Sequence, residues 1–214
     1  MQLRELQKLV AQGEGLRLEF KRKAAHPDKI MREVSAFANR EGGHLLIGVD
    51  DDGSLPGLKH PDDDEFVLRQ ALAKHCPSVR YDLSRVAVSA HRQVLIFYIW
   101  PSPTKPVFVI YNFARNTGRA YVRVADKSVQ ASYEMRQVLQ RIDLPHQVGF
   151  SYGENERKLV RYLADHPSVD VDTYAQVASL PRRAASEILV RLTLAHLLTI
   201  VPDEDRDVFV LREG

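Results

Sequence analysis

Only one cysteine, Cys76, stands among 214 residues. No internal disulfide framework can form, which fits a reducing compartment. Long apolar runs are missing too, and no stretch approaches the roughly 18–20 residues of a membrane span. The opening Met1 to Gly13 is amphipathic and mixed in charge, without the apolar stretch of a secretory signal. A cytoplasmic protein with no membrane partner is the expectation. There is no G-x4-G-K-[ST] run, so P-loop ATPase chemistry is not expected. A G-x-S-x-G nucleophile motif is also absent. The eight histidines are scattered, and His75-Cys76 is one isolated pair, which makes a zinc site improbable. Neither internal repeats nor low-complexity tracts occur.

What is present suits one or two domains. The hydrophobic fraction is 44%, ordinary for a globular core. Net charge is +2, but it is unevenly divided. Residues 1–153 carry 22 Lys and Arg against 17 Asp and Glu, whereas 154–214 carry 8 against 11. The larger part is therefore the better electrostatic surface for nucleic acid.

Periodicity sketches the elements. Leu3 to Val10 has helical spacing and ends at Gly13. Leu16, Leu18 and Phe20 alternate with Arg17, Glu19 and Lys21, the period of a strand with one apolar and one charged face. A helix from Pro27 carries Ile30, Met31, Val34, Phe37 and Ala38, and Gly42-Gly43 stops it. Leu45 to Val49 reads as a buried strand, and Asp50-Asp51-Asp52-Gly53 as a turn. Pro61 to Lys74 is a helix whose acidic run Asp62 to Glu65 suits its first turn. Strands follow at Val86–Ala90, Val94–Trp100, Val107–Phe113 and Ala120–Val124, the last after an Asn116-Thr117-Gly118 hairpin turn. Ser132 to Ile142 is a helix.

Asp143 to Gly153, with Pro145, Gly149 and Gly153, looks like a linker. Beyond it Glu154–Ala164, Val171–Ala178 and Pro181–Leu198 read as three helices. Their expected small core is Leu159, Val160, Leu163, Val177, Ile188, Leu189, Leu192 and Leu197. Leu198–Pro202 and Asp207–Leu211 form a hairpin around Asp203-Glu204-Asp205. Three helices and a hairpin in about 60 residues is winged-helix order, a variant of helix-turn-helix. The fold class is α+β, with domains at 1–144 and 154–214 and a linker at 145–153.

Two constellations carry possible chemistry. Glu19 and Lys21 share a strand face, and the turn after Val49 presents further carboxylates. If the two strands are neighbours, these oxygens converge as hard ligands for Mg²⁺ or Mn²⁺. The bland alternative is a solvated strand face and an ordinary turn. Gly42-Gly43 either offers amides to phosphate or simply makes the turn. Tyr111, Phe113 and Tyr121 stack on bases or fill the core. In the C-terminal part Asp172 to Pro181 resembles the helix-turn-helix of bacterial regulators. Arg182 and Arg183 then open the recognition helix and Arg191 follows. Cations there oppose the helix dipole, and a phosphate contact would explain them. The net negative charge and acidic hairpin tip favour a protein partner instead.

The segment Glu14-Gly15-Leu16-Arg17-Leu18-Glu19-Phe20-Lys21 resembles the E-x4-E-F-K signature of Schlafen/AlbA-type domains. Val34 to Asp51 is similar to that family's AFAN-x2-GG-x-LLIGVDD stretch. Pro103-Thr104-Lys105-Pro106 and Ala120 to Ser128 match its later blocks. The four blocks lie in order over roughly residues 10–140. The resemblance implies a mixed α/β nucleic-acid-handling domain, in a family labelled as divergent ATPases or DNA-binding domains. Some eukaryotic Schlafens are metal-dependent endoribonucleases using three carboxylates and a lysine. Carried over, these are Glu14, Glu19, Lys21 and either Asp50 or Asp51. The same four carboxylate positions are the candidate ligands for Mg or Mn. The expected nucleic-acid contacts are Lys21, Arg22, Lys23, Arg123, Lys127, Arg182, Arg183 and Arg191. A DNA-binding transcriptional regulator is the leading expectation. An RNA-cutting nuclease comes second, and a protein-interaction adaptor third. Eukaryotic Schlafen cores resemble two such lobes closing a basic groove, so this single lobe implies a homodimer.

Overall fold

A computed structural model describes residues 1–143, 153–203 and 205–212. The expected linker lies outside them except for Gly153, as does Glu204 of the expected hairpin tip. The chain divides into two compact units, Met1–Gln130 and Ala131–Gly214.

In the first unit α1 (Leu3–Val10) precedes β1 (Leu18–Lys21), α2 (Pro27–Ala38), β2 (Gly43–Ile47) and α3 (Pro61–His75). Then come β3 (Tyr81–Ser89), β4 (Arg92–Ile99), β5 (Phe108–Asn112), β6 (Thr117–Val124) and β7 (Lys127–Gln130). One sheet has the order β1-β2-β4-β3, and a second β5-β6-β7. The neighbours β1 and β2 run parallel; the other pairings are antiparallel. The apolar run Leu45-Leu46-Ile47 reflects burial on both faces of β2. Leu45 and Ile47 join a core with Val34 and Phe37 of α2 and Leu68 and Leu72 of α3. Leu46 faces the other way, into a core with Leu6 and Val10 of α1 and Leu18 and Phe20 of β1.

The glycine pair at the α2–β2 junction has a steric cause. Gly42 has φ +80°, and a Cβ on it would sit 2.6 Å from the Ile99 carbonyl oxygen. A Cβ on Gly43 would sit 2.5 Å from the Phe37 ring. The Gly42 N–H donates to Phe37 O at 3.0 Å. That amide is therefore spent inside the turn, and the turn-making reading of the pair holds. The acidic run of α3 is likewise absorbed locally. Asp64 accepts from the Ala24 N–H at 2.8 Å, and Arg85 of β3 pairs with Asp62 at 2.8 Å.

The second unit holds α4 (Tyr133–Arg141), α5 (Glu154–Asp165), α6 (Val171–Ala178), α7 (Arg182–Leu194), β8 (Leu198–Val201) and β9 (Val208–Leu211). The strands pair antiparallel, and Val169 bridges to Phe209. Three helices followed by a hairpin are thus present in the expected order. Sequence reading grouped α4 with the first domain. It packs instead against α7, where Ser186 Oγ donates to the buried Glu134 at 2.7 Å. The small core also differs from expectation. Leu159, Leu163, Leu189 and Leu192 are buried, joined by Val171, Tyr174, Ala185 and Phe209. Val160 and Leu197 are exposed. Among the described residues no helix is long and apolar enough to cross a membrane.

Candidate functional site

The left-handed Gly13 ends the turn after α1 and brings Glu14 alongside β1. Because β1 is an edge strand, its outward N–H groups lack a strand partner. The Glu14 carboxylate fills that role, accepting from the Phe20 N–H at 2.7 Å. Burial is the largest influence on Glu14 and raises its pKa from 4.5. The Phe20 hydrogen bond and Lys21 oppose this, while Glu19 and Asp51 add to it. Glu14, Glu19, Lys21 and Asp51 therefore share one electrostatic neighbourhood. Asp50 is placed otherwise, with Arg22 Nε at 3.4 Å and Ser54 Oγ at 3.5 Å. Asp51 acts on Glu14 through its charge, the weakest of these influences. Beside them lies a shallow cleft of about 530 Å³ lined by Gln7, Val10, Gly13, Phe20, Asp51 and Asp52.

Glu19 lies at the centre of the group and is buried. Its Oε1 receives the Lys21 ammonium, and its Oε2 lies 2.9 Å from Arg123 Nη1. Arg123 comes from β6, with a fully buried side chain. Its Nη1 also reaches Glu33 of α2 at 2.6 Å, and its Nη2 donates to Gly15 O at 2.6 Å. Ser128 of β7 donates to Glu33 as well. The guanidinium stands 5.1 Å from the Phe37 ring centroid. Burial pushes Glu33 above 4.5, with Glu19 adding to the rise and Ser128 and Arg123 opposing it.

This corrects one expected contact. Arg123 cannot touch nucleic acid, because its charge is enclosed and divided between two glutamates. The arrangement also bears on a divalent ion. Both Glu19 oxygens are held by cations, and one Glu14 oxygen is held by an amide. Among the described residues no three His, Cys, Asp or Glu groups stand together as metal ligands. The cluster as arranged does not fit Mg²⁺ or Mn²⁺, since the ion would have to displace Lys21 from Glu19. Sequence reading missed Glu33 and Ser128, which have no local motif.

A second buried group explains the Ala36 to Asn39 motif. Asn39 accepts from the Val107 N–H at 2.6 Å and donates to Val107 O at 3.0 Å and Tyr121 O at 2.9 Å. Ser35, one turn earlier, donates to Val107 O at 2.9 Å and accepts from the Tyr121 N–H at 3.1 Å. These two side chains clasp α2 to the second sheet. Their signal was visible as two polar residues, i and i+4, on an apolar stripe.

The expected cations differ in availability. Arg22 and Lys23 are exposed after β1, as is Lys127 at the start of β7, while Lys21 is half-buried on Glu19. In the second unit Asp170 caps α6 by accepting from the Thr173 N–H at 2.7 Å. Ser179 takes the left-handed conformation, and α7 starts directly after Pro181. Arg182 Nε lies 2.9 Å from Asp172, and Arg183 Nε lies 3.1 Å from Glu187. Arg191 pairs at 2.6 Å with the buried Glu156.

The Schlafen, AlbA_2 family model matches residues 14–132, more than half of the chain. The chain belongs to the Schlafen, AlbA_2 family. Membership places it among proteins with nucleic-acid-related functions, and the match covers the glutamate cluster, Arg123 and the Ser35–Asn39 clasp. The helices and hairpin of residues 154–212 lie beyond the matched stretch. Among solved structures, the DIP2311 protein from Corynebacterium diphtheriae is 20% identical with a TM-score of 0.44. The alignment covers 64% of this chain and 33% of that one, so the chain spans about a third of that protein's length. No curated protein matches.

Proposed function

We propose that this chain is a DNA-binding transcriptional regulator that reads duplex DNA through a winged helix in its second unit. The observation that carries this reading is the α6–turn–α7 arrangement. Asp170 caps α6, the left-handed Ser179 turns the chain, and α7 then presents Arg182 and Arg183 in its first turn. A hairpin follows, as in winged variants of helix-turn-helix.

Ion-pair strength sorts the cations. The pairs Arg182–Asp172 and Arg183–Glu187 are exposed, and such pairs contribute about 0–1 kcal/mol. A phosphate replaces the Glu187 carboxylate on Arg183 at little cost; Arg182 also lies 3.9 Å from the buried Glu134, whose Oε1 keeps the Ser186 donor when Arg182 turns to a phosphate. Arg191 differs because leaving Glu156 buried and unpaired is costly, so Arg191 drops out as a contact. Two recognition helices of a homodimer would match the half-sites of a palindromic operator.

The expected result is duplex binding that weakens steeply with salt, by a chain whose light-scattering mass is twice 24.3 kDa. The Arg182→Ala/Arg183→Ala variant should lower the salt slope by up to about two units. Unchanged binding in that variant rejects the winged helix as the reader.

A nuclease reading rests on the family resemblance at Glu14, Glu19, Lys21 and Asp51, and it requires Lys21 to leave Glu19 before an ion could bind. Under the regulator reading, RNA stays intact with Mg²⁺ or Mn²⁺. Cleavage that a chelator stops, and that vanishes in a Glu14, Glu19 and Asp51 triple alanine variant, would replace that reading.

A further inference from the structure

Around the end of α3 the first unit carries aromatic rings where a core is not being made. Tyr121 is buried, but Tyr111 at the end of β5 and Phe113 in the turn after it are 38% and 49% exposed. Exposed rings of this size are costly to leave in water, so their surroundings matter. His75 at the end of α3 holds them together. Its Nδ1 lies 2.7 Å from Ile110 O, and its ring stands 5.3 Å from Phe113 and 6.4 Å from Tyr111. The Tyr111 hydroxyl in turn meets that of Tyr121 at 3.2 Å.

Cations flank this row at both ends. Lys74 Nζ lies 4.9 Å from the Phe113 centroid, and the Arg32 guanidinium lies 5.7 Å from that of Tyr121. Arg32 is held above its ordinary pKa, first by a hydrogen bond with Tyr111, while Asp28 acts on it more weakly than the tyrosines. The cations thus rest on ring faces, not on carboxylates. Arg115, exposed in the same turn, adds a third positive charge. The order along the surface is Lys74, Phe113, His75, Tyr111, Arg32.

We propose that this row is a binding platform for single-stranded nucleic acid, with bases stacking on Phe113 and Tyr111 and phosphates drawn to Lys74, Arg32 and Arg115. Charge complementarity selects a polyanion. The rings select its form, because bases of a duplex are already stacked on each other and cannot offer their faces. Tyr111 and Phe113 are separate rings, each set against His75, at 6.4 and 5.3 Å. Each ring therefore meets a different base. Every base has a π face, so binding is tolerant of sequence. The cation over Phe113 is readily exchanged, since an exposed cation–π contact contributes less than one stacked base.

This inference rests on the nucleic-acid reading of the chain but uses a different unit from the duplex-reading helices. The test uses the full chain with two probes, a fluorescein-labelled oligo(dT) and a duplex of mixed sequence. Tyr111→Ala/Phe113→Ala should weaken oligo(dT) binding at least tenfold and leave duplex binding unchanged. Tyr111→Phe/Phe113→Tyr, which keeps both rings, should bind oligo(dT) like the parent. Lys74→Ala/Arg32→Ala should weaken oligo(dT) and flatten its salt dependence. Unchanged oligo(dT) affinity in the double alanine variant, or no oligo(dT) binding by the parent chain, overturns the platform. Duplex binding lost only in Arg182→Ala/Arg183→Ala, with oligo(dT) retained, leaves the platform standing. A parent chain that binds oligo(dT) but no duplex overturns the regulator reading alone.

Discussion

Arg123→Met is expected to destabilise the first unit by about 3–5 kcal/mol, the range seen when one partner of a buried ion pair is removed. Methionine fills much of the volume but leaves Glu19 and Glu33 enclosed without their shared cation. It also leaves Gly15 O without its 2.6 Å donor. Arg123→Lys should recover only part of the loss. One ammonium cannot span two carboxylates, a hydroxyl and a loop carbonyl in the way a planar fork does. The triple variant Arg123→Met/Glu19→Gln/Glu33→Gln should recover more, because it removes the stranded charges as well. The deficit also has a pH signature. Glu33 already sits above its ordinary 4.5, chiefly through burial. A carboxyl raised in the folded state favours folding when protonated, and that contribution is lost as pH rises through the folded value. Removing Arg123 raises Glu33 further, so the gap between variant and parent should shrink as pH falls toward 4.5. Urea unfolding from pH 7 down to 4 measures both effects. A deficit under 1 kcal/mol at pH 7, or one that grows on acidification, would show that the hub does not hold the unit together.

The same residue shows where sequence reading stops. Period two in Tyr121-Val122-Arg123-Val124 marks a strand, and β6 is there. Nothing local tells whether a charged residue on a strand faces water or an enclosed acid. The partners of Arg123 lie 104 and 90 residues away, so the pattern suggested a surface cation. The core strands and helices were legible because burial imposes a period on nearby residues. The α2 stripe is a case of this, while Leu45 to Ile47 was legible as an unbroken apolar run buried on both faces. Edge and short elements left fainter traces. In β3 the burial is only partial along most of its length, and the expected strand began at Val86 instead of Tyr81. β7 has four residues with Val129 alone buried, too short to show a period. Leu16 alternates correctly with Leu18 yet lies before β1 and is exposed, because the Gly15 N–H bonds back to Leu18 O in a tight turn. The glutamate cluster was half legible. Spacing placed Glu19 beside Lys21, and the parallel pairing of β1 and β2 brings the Asp51 turn near. The pairing of Arg22 with Asp50 is something no spacing reveals.

Asn39→Leu is expected to cost about 2–4 kcal/mol, although leucine is the better helix former and fits an apolar stripe. The loss comes from the far side of the contact. Without Asn39 Oδ1 the Val107 N–H loses its 2.6 Å acceptor, and Tyr121 O loses a donor at 2.9 Å. Each buried backbone group left unpaired costs about 1–3 kcal/mol. Ser35→Ala should cost less, about 1–2 kcal/mol, because Val107 O still has the Asn39 amide and only the Tyr121 N–H loses its acceptor. Asn39→Asp should be the worst of the three. It keeps an acceptor for Val107 but loses the amide donor and encloses a charge among carbonyl oxygens. A measurable cost for both Asn39→Leu and Ser35→Ala separates a clasp from simple packing, since a packing role would leave both near neutral. Hydrogen exchange locates the effect. Val107 should lose protection in Asn39→Leu while Leu6 and Val10, on the opposite side of the first sheet, keep theirs. If Asn39→Leu unfolds at the same urea concentration as the parent, α2 is held to β5 and β6 by apolar contact alone, and the polar pair in this motif is free to serve another purpose.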